Sequence, residues 1–163
     1  MLIHTGNLVW TKVLSASQPN HGGARGVIVD GNRIICTGYV NSPTPGFQFV
    51  SDESTAAVWE LDFNGNVVQE KLLSIGGLGQ GAKIRKDLSS GYVLASTAWS
   101  EAGGHSQCFD LLVDNDGNYL MGGHTTVGTG VVNWDYLALK VNSQTQAEEW
   151  RRTYGQPRGF DAK

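Results

Sequence analysis

The 163-residue sequence predicts an all-β protein, an antiparallel meander of about eleven strands in a single domain spanning 1–163. Three observations predict it. Short runs of alternating or β-branched apolar residues recur along the chain, separated by turn residues. Glycine is about twice as frequent as usual, 22 residues, with no collagen period and no Gly/Ser tract, so the glycines punctuate turns. No segment carries 3.6-residue periodicity, and glycine interrupts every helix candidate.

The elements follow in order. Leu8–Leu14 alternates around Trp10, and Ser15–Gly23 is a polar loop. Strands Arg25–Asp30 and Arg33–Val40 flank the turn at Gly31. Asn41–Thr55, with Pro43, Pro45 and Gly46, is a long loop. Ala56–Asp62 and Asn66–Leu73 flank Asn64-Gly65, and Ser74–Gly81 is a glycine-rich connection. Ala82–Asp87 and Tyr92–Trp99 flank Gly91. Gln107–Asp114 and Tyr119–Thr125 flank Asp114-Asn-Asp-Gly-Asn118, and Trp134–Val141 and Gln146–Tyr154 flank Asn142–Thr145.

Gly6, Gly31, Gly65, Gly91 and Gly117 are spaced by 25, 34, 26 and 26 residues, and Thr145 follows 28 later at a turn without glycine. The unit is thus a hairpin of about 26 residues. Glycine serves it because tight hairpin turns require φ > 0, and the neighbouring Asp and Asn bond back to the turn backbone. Paired hairpins give four-stranded units of about 52 residues, and four-stranded units at periods of roughly 40–50 indicate a β-propeller. A closed β-barrel is the alternative.

Two hairpin patterns alternate. Asp30–Tyr39, Ser90–Trp99 and Asp116–Thr125 share one, a turn followed by a strand ending on small residues. Val58–Lys71 and Leu137–Arg151 share the other, and Gly6–Lys12 matches its second strand. On these stretches the chain resembles the glycine-rich β-propeller repeats of bacterial surface and secreted proteins, whose half-blades alternate in this way. The resemblance implies about three blades of a larger array. By pattern the half-blades run first, second, first, first, second, so one is missing between Trp99 and Gln107, or Gln107–Thr125 takes the other role.

Composition and motifs narrow the function. A net charge of −3 with Arg151-Arg152 as the densest basic spot argues against a nucleic-acid partner. No apolar run reaches membrane-span length, and no compartment is legible. Cys36 and Cys108 sit in apolar runs, as buried free thiols do. Asp114-x-Asp116-Gly117 resembles the start of a calcium loop, but position 12 is Thr125 and the flanks are strands, so it reads as a hairpin turn. His105 and Cys108 lack the further ligands that zinc wants. The Gly76–Gly81 run lacks the helix that would make it a phosphate loop. No cofactor and no metal is expected.

Topology supplies the best clue. In a meander the glycine turns fall at one end, and the longer loops 15–24, 41–55, 74–81, 99–107, 125–134 and 153–160 at the other. Function concentrates in such loops. That end gathers His21 and the candidate ligand-binding residues Phe47, Phe49, Asp52, Glu53, Trp99, Glu101, His105 and Trp134. The leading expectation is a non-enzymatic module that binds a glycan or protein ligand there, since Trp and Tyr give large rigid contacts with a polar handle. The alternative is a glycosidase-like enzyme pairing Glu101 with Asp52 or Glu53. A scaffold with no ligand is the third reading. Open strand edges predict a two-fold homodimer.

Overall fold

A computed structural model describes residues 9–14, 21–42, 54–73, 80–89, 91–99, 105–126 and 134–155, with the backbone alone at 21, 42, 80, 96–99, 105 and 134. Every regular element in them is a β-strand: β1 (His21–Asp30), β2 (Arg33–Ser42), β3 (Thr55–Leu61), β4 (Val67–Leu73), β5 (Gln80–Lys86), β6 (Tyr92–Trp99), β7 (His105–Val113), β8 (Tyr119–Thr126), β9 (Trp134–Val141) and β10 (Glu148–Tyr154). Each strand pairs antiparallel with its sequence neighbours within two open sheets, β1-β2-β3-β4 and β5-β6-β7-β8-β9-β10. Neither sheet closes, which rules out the barrel among the described residues. In the second sheet β6 and β7 share only two ladder pairs, Ala98↔Ser106 and Trp99↔His105.

The described strands number ten, not eleven, because the stretch read as strand Leu8–Leu14 forms none over 9–14. Instead of pairing, Leu14 and Trp10 of this stretch lie against the first sheet and its Gly65 turn, while Val9 and Val13 are exposed. Leu14 packs on the buried cluster Val40, Ala57, Trp59 and Leu61. The indole N–H of Trp10 donates to the Phe63 carbonyl at 2.8 Å. The loop expected over Ser15–Gly23 is also too long, since β1 already begins at His21. Glycine misled there: a Cβ on Gly22 would come within 2.9 Å of the Tyr39 carbonyl oxygen. In-strand glycine marks close backbone approach as readily as a loop.

The turns explain themselves from sequence. Gly65 and Gly117 sit at φ +80 and +84, where a side chain would be strained. Asp62 Oδ1 accepts from the amides of Asn64 and Asn66, both at 2.9 Å, and Asp114 Oδ1 does the same for Asp116 and Asn118 at 3.0 and 2.8 Å. At the turn without glycine, Gln146 takes φ +57 while Asn142 Oδ1 accepts from the amides of Gln144 and Thr145.

The two sheets meet at β5, which approaches β1, β2 and β3 of the first sheet as well as β7 of its own. Ile84 of β5 and Ile35 of β2 are 1% and 2% exposed. Gly26 lets β5 approach: a Cβ there would lie 3.3 Å from the Ala82 carbonyl oxygen and 2.9 Å from Thr37 Cγ2. Lys86 and the Tyr92 hydroxyl both donate to Asp30, at 2.5 and 2.8 Å, and join the units at the turn end. These bonds, that of Lys86 foremost, hold the Asp30 carboxyl below its ordinary value.

Candidate functional site

Three irregularities in the ladders share a position. In β1, Ala24 pairs Gly38 and Gly26 pairs Thr37, leaving Arg25 as an extra residue. In β5, Gly81 pairs Ser96 and Lys83 pairs Ala95, leaving Ala82. In β7, Cys108 pairs Gly123 and Asp110 pairs Gly122, leaving Phe109. Each is a one-residue bulge in the first strand of its hairpin, toward the long-loop end. The β3–β4 and β9–β10 hairpins instead carry the irregularity on the second strand, near the turn. Apart from a second shift in the β1–β2 ladder between His21 and Gly23, where the extra residue is on β2, bulge placement follows the order of the two sequence patterns.

A bulge bends its strand and re-aims a side chain, which is why bulges gather beside functional sites. Arg25, Ala82 and Phe109 line one cavity of about 390 Å³, together with Gly23, Ala24, Tyr39, Gln107 and Cys108. The volume lies within the range of small-molecule sites, roughly 300–1,000 Å³. Two glycines make the bulges possible. A Cβ on Gly38 would overlap the carbonyl oxygen of Gly23, and one on Gly123 that of Gln107.

The lining is mixed. The Arg25 guanidinium carbon sits 5.2 Å from the centre of the Tyr39 ring, close enough for a cation–π attraction. Burial pulls the Arg25 pKa below its ordinary value, opposed by Tyr39. Phe109 meets His124 edge-on, with ring centres 4.7 Å apart. The Cys108 thiol donates to the Asp110 carbonyl at 3.0 Å, and burial pushes its pKa up to about 11. Gln107 is only 4% exposed, and its Oε1 has no hydrogen-bond partner. A buried acceptor left unpaired is costly and uncommon in native interiors. Among the described residues no group of three or more His, Cys, Asp or Glu side chains could hold a metal. The Asp114 carboxylate is committed to its turn and to Lys140 at 3.0 Å, and that lysine is the main reason its pKa is lowered.

Of the residues expected at the site, Phe47, Phe49, Asp52, Glu53 and Glu101 lie outside the described residues. Trp99 and His105 are ladder partners, and Trp134 pairs Thr126. Like His21, paired with Ser42, all of these stand at the long-loop ends of their strands. Both cysteines are free and half-buried, less enclosed than their apolar runs suggested. The sequence reading missed Arg25, Tyr39, Gln107 and Phe109. The available signal was glycine crowding around a single larger residue, as in Gly22-Gly-Ala-Arg-Gly26, which reads as a bulge as well as a loop. No protein-family model matches the chain, and no curated protein sequence matches it.

Proposed function

We propose that the chain is a non-enzymatic recognition module, built as a propeller-like array of four-stranded units, that takes a glycan or protein ligand at its long-loop end. One observation carries the reading: three bulges converge on one cavity at that end. Support for the array comes from hairpin order, with β1–β4 and β7–β10 each in strict meander order and the β5–β6 hairpin between them. A glycan array run beside a hydrolase panel tests the function. Binding without turnover is expected. Hydrolysis that Glu101→Gln abolishes would overturn the reading in favour of the carboxylate-pair enzyme, and silence in both assays would leave the scaffold.

Self-association belongs to the same proposal. Among the described strands β4 and β10 are outer edges, and Val67, Val68 and Leu72 of β4 are each at least 41% exposed. Exposed edges recruit further strands, so a two-fold homodimer through an edge strand is expected, burying well over about 1,000 Å². Sedimentation as a stable monomer at micromolar concentration would refute it.

A further inference from the structure

We propose that the bulge cavity and a small apolar pocket beside it form a subsite for an N-acetylated sugar, with the ring in the cavity, the acetyl methyl in the pocket and the acetamido N–H on Gln107 Oε1. The inference rests on the recognition reading and specifies its ligand.

Gln107 stands between two hollows. It lines the cavity of about 390 Å³ already described and a second pocket of about 120 Å³. Cys108 lines both as well. The described walls of the second pocket are mainly apolar, with Met121, Leu137 and Leu139 beside the glycine pair of β8. An apolar cavity of about 150 Å³ holds a benzene ring, so the smaller pocket has room for a short acyl group and not for a sugar ring. The larger one has room for the ring.

The polar group between them sets the chemistry. Gln107 is buried and its Oε1 has no hydrogen-bond partner, so a donor placed there removes a standing cost. An acetamido N–H brings only a donor to that atom, whereas a hydroxyl brings lone pairs that need donors in turn. In an N-acetylated sugar the methyl lies to one side of the N–H and the ring to the other, the same order as pocket, Gln107 and cavity. Burying the methyl among Met121, Leu137 and Leu139 adds a hydrophobic gain. Phe109, half-exposed as the extra residue of its bulge, offers aromatic surface in the cavity to the C–H groups of a pyranose. The slender chain of an acetylated lysine would leave much of that cavity unfilled. An acetamido group carries no charge, so its fit does not depend on the charged groups nearby, Arg25, Lys83 and Asp110 among them.

The test uses the intact chain and three small probes, N-acetylglucosamine, glucose and side-chain-acetylated lysine amide. Affinity is measured by calorimetry, and the buried part of each probe by saturation-transfer NMR. N-acetylglucosamine is expected to bind saturably, with its acetyl methyl the most strongly saturated group. Glucose, which lacks both the methyl and the N–H, should bind at least about 10-fold more weakly. Gln107→Leu should weaken N-acetylglucosamine about 10- to 100-fold, with Tm unchanged or raised, since leucine removes a buried acceptor that has no partner. The saturation readout needs no variant.

Equal binding of glucose and N-acetylglucosamine would overturn the proposal. So would saturation that reaches the ring protons and spares the methyl, or a folded Gln107→Leu that binds as the unsubstituted chain does. Tighter binding of the acetylated lysine would overturn it in favour of an acylated peptide. If glycans without an acetamido group bind on the array and N-acetylglucosamine does not bind, this proposal falls and the recognition reading stands. If neither the array nor these probes bind, both fall.

Discussion

Two adjacent glycines of β8 offer a controlled perturbation. Gly122 and Gly123 are neighbours in β8 whose side-chain directions fall on opposite faces, and a Cβ on Gly122 would meet nothing within 4 Å. One on Gly123 would overlap the Gln107 carbonyl oxygen and lie 2.9 Å from its carbon and 3.1 Å from Cys108 Cα. All three atoms are backbone, so no rotamer change can relieve them. Comfortable non-bonded separations are roughly 3.5 Å or more, so β7 and β8 must part by roughly an ångström beside the Phe109 bulge. Ladder bonds near 2.9 Å do not survive that stretch. Losing two at about 1 kcal/mol each, with overpacking strain of about 1 kcal/mol, puts Gly123→Ala at about 2–3 kcal/mol. For a chain this long that lowers Tm by about 5–10 °C. Gly122→Ala should be neutral, or stabilise by up to about 1 kcal/mol through the unfolded chain. Urea unfolding and thermal melts of both variants measure the difference. Equal stability of the two would refute the close approach on which the bulge and cavity depend.

Gly117→Val places a β-branched residue at φ +84 and should cost about 1–2 kcal/mol in urea unfolding; a neutral result would remove the turn argument. Thr37 is fully buried and donates to the Ala57 carbonyl at 3.1 Å, so Thr37→Val should cost about 1–3 kcal/mol, and no loss would mean the bond contributes nothing. Asp30, Asp62 and Asp114 have pKa values lowered chiefly by Lys86, the Asn66 side chain and Lys140 respectively. Depressed folded values contribute stability that is fully present above the unfolded carboxylate pKa of about 3.9 and is lost as pH falls through the folded ones. The urea midpoint should therefore drop below about pH 4, with a smaller drop in Asp62→Asn; a midpoint that rises toward acid would contradict the assignment.

Much of the fold was legible because its signals are local. Asp114-Asn-Asp-Gly-Asn118 specifies a turn by its own side-chain bonds and its glycine, and the structure forms that turn. The alternation of short turns and long connections follows from counting residues between strands. Leu8–Leu14 was misread because alternation reports two-sidedness, not pairing. Leu14 packs on a sheet face, while Val9 and Val13 are 86% and 76% exposed. The site was less legible. Arg25 of β1 and Phe109 of β7, more than eighty residues apart in sequence, line one cavity, each as the extra residue of a bulge. No pattern in a single strand encodes that shared lining. Gln107 gave no chemical signal because its significance is an unpaired oxygen, which exists only once the strands enclose it.

The central claim is that ligand recognition takes place at the bulge cavity at the long-loop end. An amide chemical-shift map, recorded while titrating a ligand identified on the glycan array, tests it most directly. Recognition at the cavity predicts shifts clustered at residues 23–25, 39 and 107–109, with the turns at Gly31, Gly65, Gly91 and Gly117 unmoved. Shifts concentrated at those turns, with the cavity silent, would contradict it.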